Sequence, residues 1–261
     1  MRMIIHAGFH KSGTTSVQMM LRNNRAIVEQ EFSLFMRGRI RAICESARAW
    51  SIRREALEMS LYQFELADWM TGLDRDDPRP ILISAEDLAG HMPGRHRLMR
   101  YDATPVLMAT FADIAQEVFA GLVLDFAFST RDTGAWMKSA HAQNIRATRS
   151  VETPDEFAAR MGATTDLTAD ALAVRDALPD GANLHHWRLE DHLTRPLGPL
   201  DPLLDLAGAS DGLRAAITPE PPSNKSLPAH KLEELRRLNA TDTPRVELHE
   251  LKRAVIQRND G

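Results

Sequence analysis

A cation, two glycines and four hydroxyl side chains lie within nine residues near the start of the chain. The segment reads Gly8-Phe9-His10-Lys11-Ser12-Gly13-Thr14-Thr15-Ser16 and stands between an apolar run and a helical pattern. Where a strand, a glycine-containing loop and a helix follow one another, backbone N–H groups gather at the helix N-terminus and suit a phosphate. Gly8 and Gly13 let the main chain pass close to the anion. The segment therefore predicts an anion-binding loop, and a tight strand-to-helix turn without a ligand is the structural alternative.

The position of the lysine distinguishes this loop from that of ATP-using P-loop enzymes. Against the pattern G-x-x-x-x-G-K-[ST], Gly8, Gly13 and Thr15 fall in register, but Thr14 stands where a lysine is required. The cation is Lys11, inside the loop. An ATP-dependent kinase uses the later lysine to reach the β- and γ-phosphates. The loop is therefore better suited to a diester-like phosphate with one short group beyond it, and a kinase remains the alternative.

An arginine and a serine form a second candidate anion site. Arg131 follows the predicted strand Leu122–Ser129, and Ser139 lies eight residues later in a predicted helix. Ligands of open α/β sheets bind outside the carboxyl ends of the strands. An arginine supplies a planar fork of donors that suits the paired oxygens of a phosphate. The two side chains can reach one phosphate.

A carboxylate follows another predicted strand. Glu86 comes directly after Ile81–Ser84, so we expect it to face the same crevice as the phosphate loop. A carboxylate placed there can remove the proton of an acceptor hydroxyl. His10 and His91 are the alternative bases, and capping of a short helix that starts near Ser84 is the structural alternative for Glu86.

These segments together resemble the sulfotransferases that use 3′-phosphoadenosine 5′-phosphosulfate (PAPS), in particular the bacterial and carbohydrate-type members. In that family G-x-x-K-[ST]-G-T-[TS] follows the first strand, and an arginine after a later strand is followed eight residues on by a serine. The resemblance implies that Arg131 and Ser139 bind the 3′-phosphate and that Glu86 is the general base. It also implies that the 5′-phosphosulfate is bound by His10, Lys11, Ser12, Gly13, Thr14, Thr15 and Ser16.

The implied reaction is transfer of a sulfuryl group from PAPS to a hydroxyl of a carbohydrate, a lipid or a small molecule. The product nucleotide is adenosine 3′,5′-bisphosphate, Lys11 stabilises the leaving phosphate, and no metal is required. A non-catalytic nucleotide-binding protein is a further alternative, because it would keep the same loop and the Arg131 site.

Two further segments resemble the family in part. Arg188-Leu189-Glu190-Asp191-His192-Leu193 is similar to R-[YL]-E-D-L, with His192 as a departure. Its two acids are interpreted as helix-capping groups. Family members close the donor site with a basic loop near the C-terminus, and Asn224-Lys225-Ser226 is the available candidate for it here.

Four short apolar segments indicate the scaffold that holds these residues. Met3–Ala7, Ile81–Ser84, Leu122–Ser129 and Asn183–Trp187 are predicted strands, and helical patterns separate them. This alternation predicts an α/β fold whose central, mainly parallel sheet has helices on both faces. The resemblance implies a P-loop-type three-layer arrangement.

The 261 residues are predicted to form a single domain. A helical insertion is expected at about 25–75. Its apolar positions at helical spacing are predicted to face the core, namely Ile40, Ile43, Cys44, Ala47, Leu57, Leu61, Phe64 and Leu66. Two charged helices are expected in a C-terminal segment at about 227–258.

Composition excludes several classes of protein. A net charge of −4 argues against non-specific nucleic-acid binding. A single cysteine, Cys44, excludes an intramolecular disulfide framework and a Cys-rich zinc site. No apolar run approaches the length of a transmembrane helix, and the N-terminal apolar run is too short for a signal peptide. We therefore expect a cytoplasmic protein with no transmembrane segment and a small-molecule or glycan acceptor as its partner.

Overall fold

The structure, a computed structural model, describes residues 1–162, 165–220 and 227–258. Its centre is a five-stranded sheet in the order β2-β3-β1-β4-β5, and all neighbouring strands run parallel. The strands are β1 (Arg2–His6), β2 (Ser33–Met36), β3 (Ile81–Ser84), β4 (Val123–Thr130) and β5 (Ala182–Arg188). The predicted α/β class with a mainly parallel sheet is confirmed.

Twelve α-helices accompany the sheet in the described part of the chain. They are α1 (Thr14–Asn23), α2 (Arg25–Val28), α3 (Arg41–Arg53), α4 (Ala56–Thr71), α5 (Thr104–Val118), α6 (Thr133–Ala147), α7 (Pro154–Met161), α8 (Leu167–Ala177), α9 (Asp201–Ala207), α10 (Asp211–Ala216), α11 (Ala229–Asn239) and α12 (Arg245–Gln257). Parallel strands need crossover connections of this kind, since a short hairpin turn cannot join them.

The sheet carries a hydrophobic core on each face. Successive strand residues point to opposite faces, and neighbours along β1 accordingly belong to different cores. Ile5 packs in the core that includes the buried faces of α3, α4, α5 and α8. Ile4 packs in the core formed with α1, α9 and α10. Helices therefore cover both faces of the sheet.

The sequence patterns do not predict β2, which lies inside the expected helical insertion at 25–75. The strand has only four residues, it stands at one edge of the sheet, and it pairs with β3 alone. So short a run has no periodicity of its own, and pairing with a distant strand makes it extended. The segment otherwise contains α2, α3 and α4.

The core positions predicted in this insertion are confirmed in part. The buried ones are Ile40, Ile43, Cys44, Ala47 and Leu66. The prediction is wrong for Leu57, Leu61 and Phe64, which are 75%, 46% and 64% exposed, respectively. Helix α4 buries Tyr62 together with Leu66. This buried face lies on another side of the helix, since α4 packs between α3 and α5.

The C-terminal helices α11 and α12 contact the C-terminal end of α6. The ammonium of Lys252 on α12 donates to the carbonyl oxygens of Ile145 (2.8 Å) and Thr148 (2.6 Å). Asn239 at the end of α11 also donates to the Ile145 carbonyl. These contacts satisfy carbonyls that the last turn of a helix leaves without partners. They fix the position of the helix that carries Ser139.

Candidate functional site

The segment between β1 and α1, predicted to be an anion-binding loop, is a tight loop with several residues in the left-handed conformation. Gly8, Lys11 and Gly13 all have positive φ angles, of 55°, 68° and 96°. For Lys11 this left-handed conformation costs free energy, as it does for any residue with a Cβ. Within the described residues, the backbone N–H groups of Gly13, Thr14 and Thr15 donate to no protein acceptor. These donors surround the start of α1, where the helix dipole favours negative charge.

Buried hydrogen bonds fix the loop against β4 and α6. The fully buried Ser12 hydroxyl donates to the Phe9 carbonyl (2.6 Å), and it therefore accepts from Ser129 at the end of β4 (2.8 Å). The indole N–H of Trp136 on α6 donates to the His10 carbonyl. The loop is thus positioned before any ligand binds, so little ordering is needed on binding.

Gly13 is required where the loop passes beneath the segment that follows β5. A Cβ at this position would lie 2.7 Å from Cδ1 of Leu189. Its φ angle of 96° also disfavours any other residue. Leu189 is buried, so this contact brings the segment after β5 over the loop.

Arg131 joins the two predicted anion sites. Its Nη1 donates to the carbonyl oxygen of Lys11 at 2.9 Å, across 120 residues of sequence. Its Nε is buried and has no partner within the described residues. A buried donor without a partner is costly, and Arg131 is one of the residues that line the cavity described below.

The loop that carries Arg131 is held by two carboxylates. Asp132 caps α6 by accepting from the N–H of Ala135. Glu190, in the short 3₁₀ helix Leu189–His192 after β5, accepts from the N–H of Asp132 at 3.1 Å. Glu190 makes no capping hydrogen bond in its own 3₁₀ helix, so the predicted capping role is wrong; it fixes the backbone next to Arg131 instead.

One cavity of about 450 Å³ contains most of the sequence-predicted site residues. Six of the ten line it, namely Lys11, Gly13, Thr15, Ser16, Arg131 and Ser139. Ser12 and Thr14 are buried beneath the loop surface, and His10 and Glu86 do not line the cavity. The cavity volume lies within the range of about 300–1,000 Å³ that is usual for small-molecule sites. Lys225 lies outside the described residues.

The cavity lining combines cations with apolar side chains. Lys11, Arg131 and Arg146 form no ion pair with a carboxylate in the described part of the chain. Burial lowers the pKa of Lys11, and the charge of Arg146 lowers it further, whereas Glu86 opposes the shift. The apolar lining includes Leu189, Leu193, Pro196, Leu197 and Pro199. An anionic ligand with one flat apolar group is complementary to such a cavity.

Glu86 stands at the end of β3 and contacts the anion-binding loop from below. The hydroxyl of Thr14 donates to Oε2 of Glu86. Within the described residues Oε1 accepts no hydrogen bond, and the carboxylate is close enough to influence the pKa of Lys11. Glu86 also begins a short 3₁₀ helix, Glu86–Ala89, but its side chain forms no capping hydrogen bond there.

The two alternative bases are held differently. The His10 ring lies between the hydroxyl of Tyr101 (3.1 Å) and a carboxylate oxygen of Asp87 (3.5 Å). His91 donates from Nδ1 to the Met92 carbonyl, and burial lowers its pKa to about 4. Both nitrogens of the His10 ring therefore face protein groups, whereas within the described residues His91 keeps Nε2 and Glu86 keeps Oε1 without a partner.

Arg146 and Gln143 are cavity residues to which the sequence patterns assign no role. Both lie on α6: Gln143 is four residues after Ser139, and Arg146 is seven residues after it. That spacing places all three on one helix face and is the signal that identifies them.

No group of three or more His, Cys, Asp or Glu side chains within the described residues is arranged to hold a metal ion. In the same residues, no helix is long and apolar enough to span a membrane.

Comparisons with known proteins return no match, whether with protein-family models, with curated proteins or with solved structures.

Proposed function

We propose that this protein is a sulfotransferase of P-loop type that transfers a sulfuryl group from PAPS to an acceptor hydroxyl. One observation carries the proposal: the Lys11 loop and the Arg131–Ser139 pair line a single cavity. A nucleotide with a 5′-phosphosulfate and a 3′-phosphate presents two anions at opposite sides of a ribose. The two clusters match these anions in charge, and the apolar wall that includes Leu189 suits an adenine ring.

The unpartnered groups of the site fit this ligand. The free backbone N–H groups at the start of α1 suit the 5′-phosphate. The buried Nε of Arg131 suits an oxygen of the 3′-phosphate, and Ser139 lies on the same cavity wall. With PAPS bound, the donor supplies a sulfuryl group on a phosphate leaving group.

Three residues account for the chemistry in this proposal. The ammonium of Lys11 stabilises the negative charge that develops on the leaving phosphate, and it gains strength because the site is partly desolvated. Oε1 of Glu86 accepts the proton of the acceptor hydroxyl. Thr14 donates to Oε2 and thereby fixes the carboxylate against the loop. The acceptor class is a hydroxyl of a carbohydrate, a lipid or a small molecule.

Nucleotide titration tests the donor. Calorimetry with the wild-type protein compares adenosine 3′,5′-bisphosphate with ATP and Mg²⁺. We expect the bisphosphate to bind at least about tenfold more tightly, because ATP has no 3′-phosphate for Arg131. Tighter binding of ATP with Mg²⁺ favours the kinase alternative and contradicts the proposal.

Substitution of Glu86 tests whether the protein is catalytic. Release of adenosine 3′,5′-bisphosphate from PAPS is measured with N-acetylglucosamine, an alkyl glucoside and a long-chain alcohol as probe acceptors. We expect Glu86→Gln to reduce release by roughly 10²–10⁴-fold while donor affinity is retained. The control is Glu117→Gln, because Glu117 is exposed on α5 and remote from the loop. Unchanged release in Glu86→Gln assigns the site to nucleotide binding or to another base.

A further inference from the structure

Helix α6 presents a row of three polar side chains to the cavity. Ser139, Gln143 and Arg146 are separated by four and three residues, so they lie on one face of the helix. All three line the cavity that contains Lys11. Seven residues of an α-helix span about 10 Å, so the backbones of Ser139 and Arg146 lie about two turns apart along this face.

Arg146 is charged, exposed and unpaired. In the described part of the chain its side chain forms no hydrogen bond and no ion pair, although many other arginines of this chain pair with carboxylates. Its backbone is nevertheless held in place, since the buried ammonium of Lys252 donates to the carbonyl oxygens around it. A fixed backbone with a free guanidinium suits a ligand contact.

No carboxylate of the described residues pairs with Arg146, although the cavity lining includes Glu220. Arg146 and Lys11 line the same cavity, and the charge of Arg146 lowers the pKa of Lys11 more than the charge of Arg131 does. The other charged lining residues are engaged, because Arg195 pairs with Asp205 at 2.5 Å and Glu220 accepts from Asn23. Two like charges that line one cavity repel each other, and an anion bound between them relieves this repulsion.

We propose that Arg146 binds the terminal sulfonate of the donor and thereby distinguishes PAPS from its product nucleotide. This inference rests on the proposed function. In the proposed function Arg131 and Ser139 bind the 3′-phosphate, and the backbone amides of the loop bind the 5′-phosphate. Lys11 stabilises the leaving phosphate in the proposed function. Of the cavity cations without an ion pair in the part of the chain that the structure describes, Arg146 is then left for the remaining anionic group, the sulfonate. The product, adenosine 3′,5′-bisphosphate, has no group for this arginine.

The contact also has a consequence for turnover. An interaction with the sulfonate holds the donor but is lost once the sulfuryl group has moved to the acceptor. Arg146 therefore strengthens donor binding relative to product binding, which limits inhibition by the product nucleotide.

The test measures binding of three nucleotides to the full chain in the absence of acceptor. PAPS has all three anionic groups, adenosine 3′,5′-bisphosphate lacks the sulfonate, and adenosine 5′-phosphosulfate lacks the 3′-phosphate. The variants are Arg146→Ala and Arg146→Gln. The control is Lys138→Ala, because Lys138 is an exposed cation of the same helix that does not line the cavity.

We expect both Arg146 variants to bind PAPS and adenosine 5′-phosphosulfate about tenfold more weakly, as for loss of one charge-assisted contact. Their affinity for the bisphosphate stays within about threefold of wild type, which also shows that the variants are folded. Lys138→Ala retains wild-type affinity for all three nucleotides.

Two outcomes overturn the inference. An equal loss for PAPS and the bisphosphate assigns Arg146 to a phosphate, and unchanged PAPS affinity in both variants assigns it to no part of the donor. Failure of the proposed function gives a different result, because the wild-type protein then binds neither PAPS nor the bisphosphate.

Discussion

Replacement of Arg131 separates its contact with the protein from its proposed contact with the 3′-phosphate. In the structure Nη1 is already used by the Lys11 carbonyl, whereas Nε is buried without a partner. Arg131→Lys keeps one positive charge but offers no planar fork, so it cannot serve both acceptors in the same geometry. Arg131→Ala removes the charge and both contacts.

The magnitude follows from the number of contacts. A hydrogen bond to a charged group contributes about 1.5–3 kcal/mol, and 1.4 kcal/mol corresponds to about tenfold in affinity. For Arg131→Ala we therefore expect adenosine 3′,5′-bisphosphate to bind roughly 10²-fold more weakly, and for Arg131→Lys about tenfold more weakly. The bond to the Lys11 carbonyl contributes about 1 kcal/mol to the stability of the loop and not to ligand selectivity.

The assay compares the bisphosphate with adenosine 5′-monophosphate by calorimetry, since only the first has a 3′-phosphate. We expect the loss for Arg131→Ala to be confined largely to the bisphosphate. Arg188→Ala is the matched control, because Arg188 ends the neighbouring strand β5 but does not line the cavity. An equal loss for both nucleotides means that Arg131 only supports the loop, and no loss at all refutes the two-anion site.

Two further predictions concern the scaffold. In a denaturant titration, Gly13→Ala should lower the free energy of unfolding by about 1–3 kcal/mol, because the new Cβ meets Leu189 and the φ angle is positive. The control is Gly38→Ala, which should be nearly neutral because a Cβ there meets nothing within 4 Å. Burial lowers the pKa of His6 to about 4, so the unfolded chain binds its proton below about pH 6.5 while the folded protein does not. The free energy of unfolding should therefore fall by about 3 kcal/mol between pH 6.5 and pH 4 on account of this residue. His6→Asn should show a smaller fall over the same range. If the free energy of unfolding of the variant depends on pH as in the wild type, the assignment to His6 is contradicted.

The sequence by itself predicts the α/β class and four of the five strands, because each of these strands is a short apolar run bounded by turn residues or charges. It also predicts the conformation of the loop before α1, since Gly8 and Gly13 fall where the backbone needs positive φ angles. Such features depend on residues close together in the chain, so local patterns suffice to find them.

Contacts between distant segments could not be read from local patterns. Strand β2 is extended because it pairs with β3. Leu57, Leu61 and Phe64 are exposed because α4 packs between α3 and α5 through another face. The link from Arg131 to Lys11 spans 120 residues, and Glu190 reaches the loop beside Arg131 only because β5 lies next to β4.

The composition of the cavity was likewise decided by the tertiary structure. The sequence supplies Ser139 and Arg146 as two of many polar residues, and only the packing of α6 over the loop places both beside Lys11. The physical reason is that spacing along the chain fixes which residues share a helix face or a turn. The order and packing of the strands and helices fix which of those faces meet.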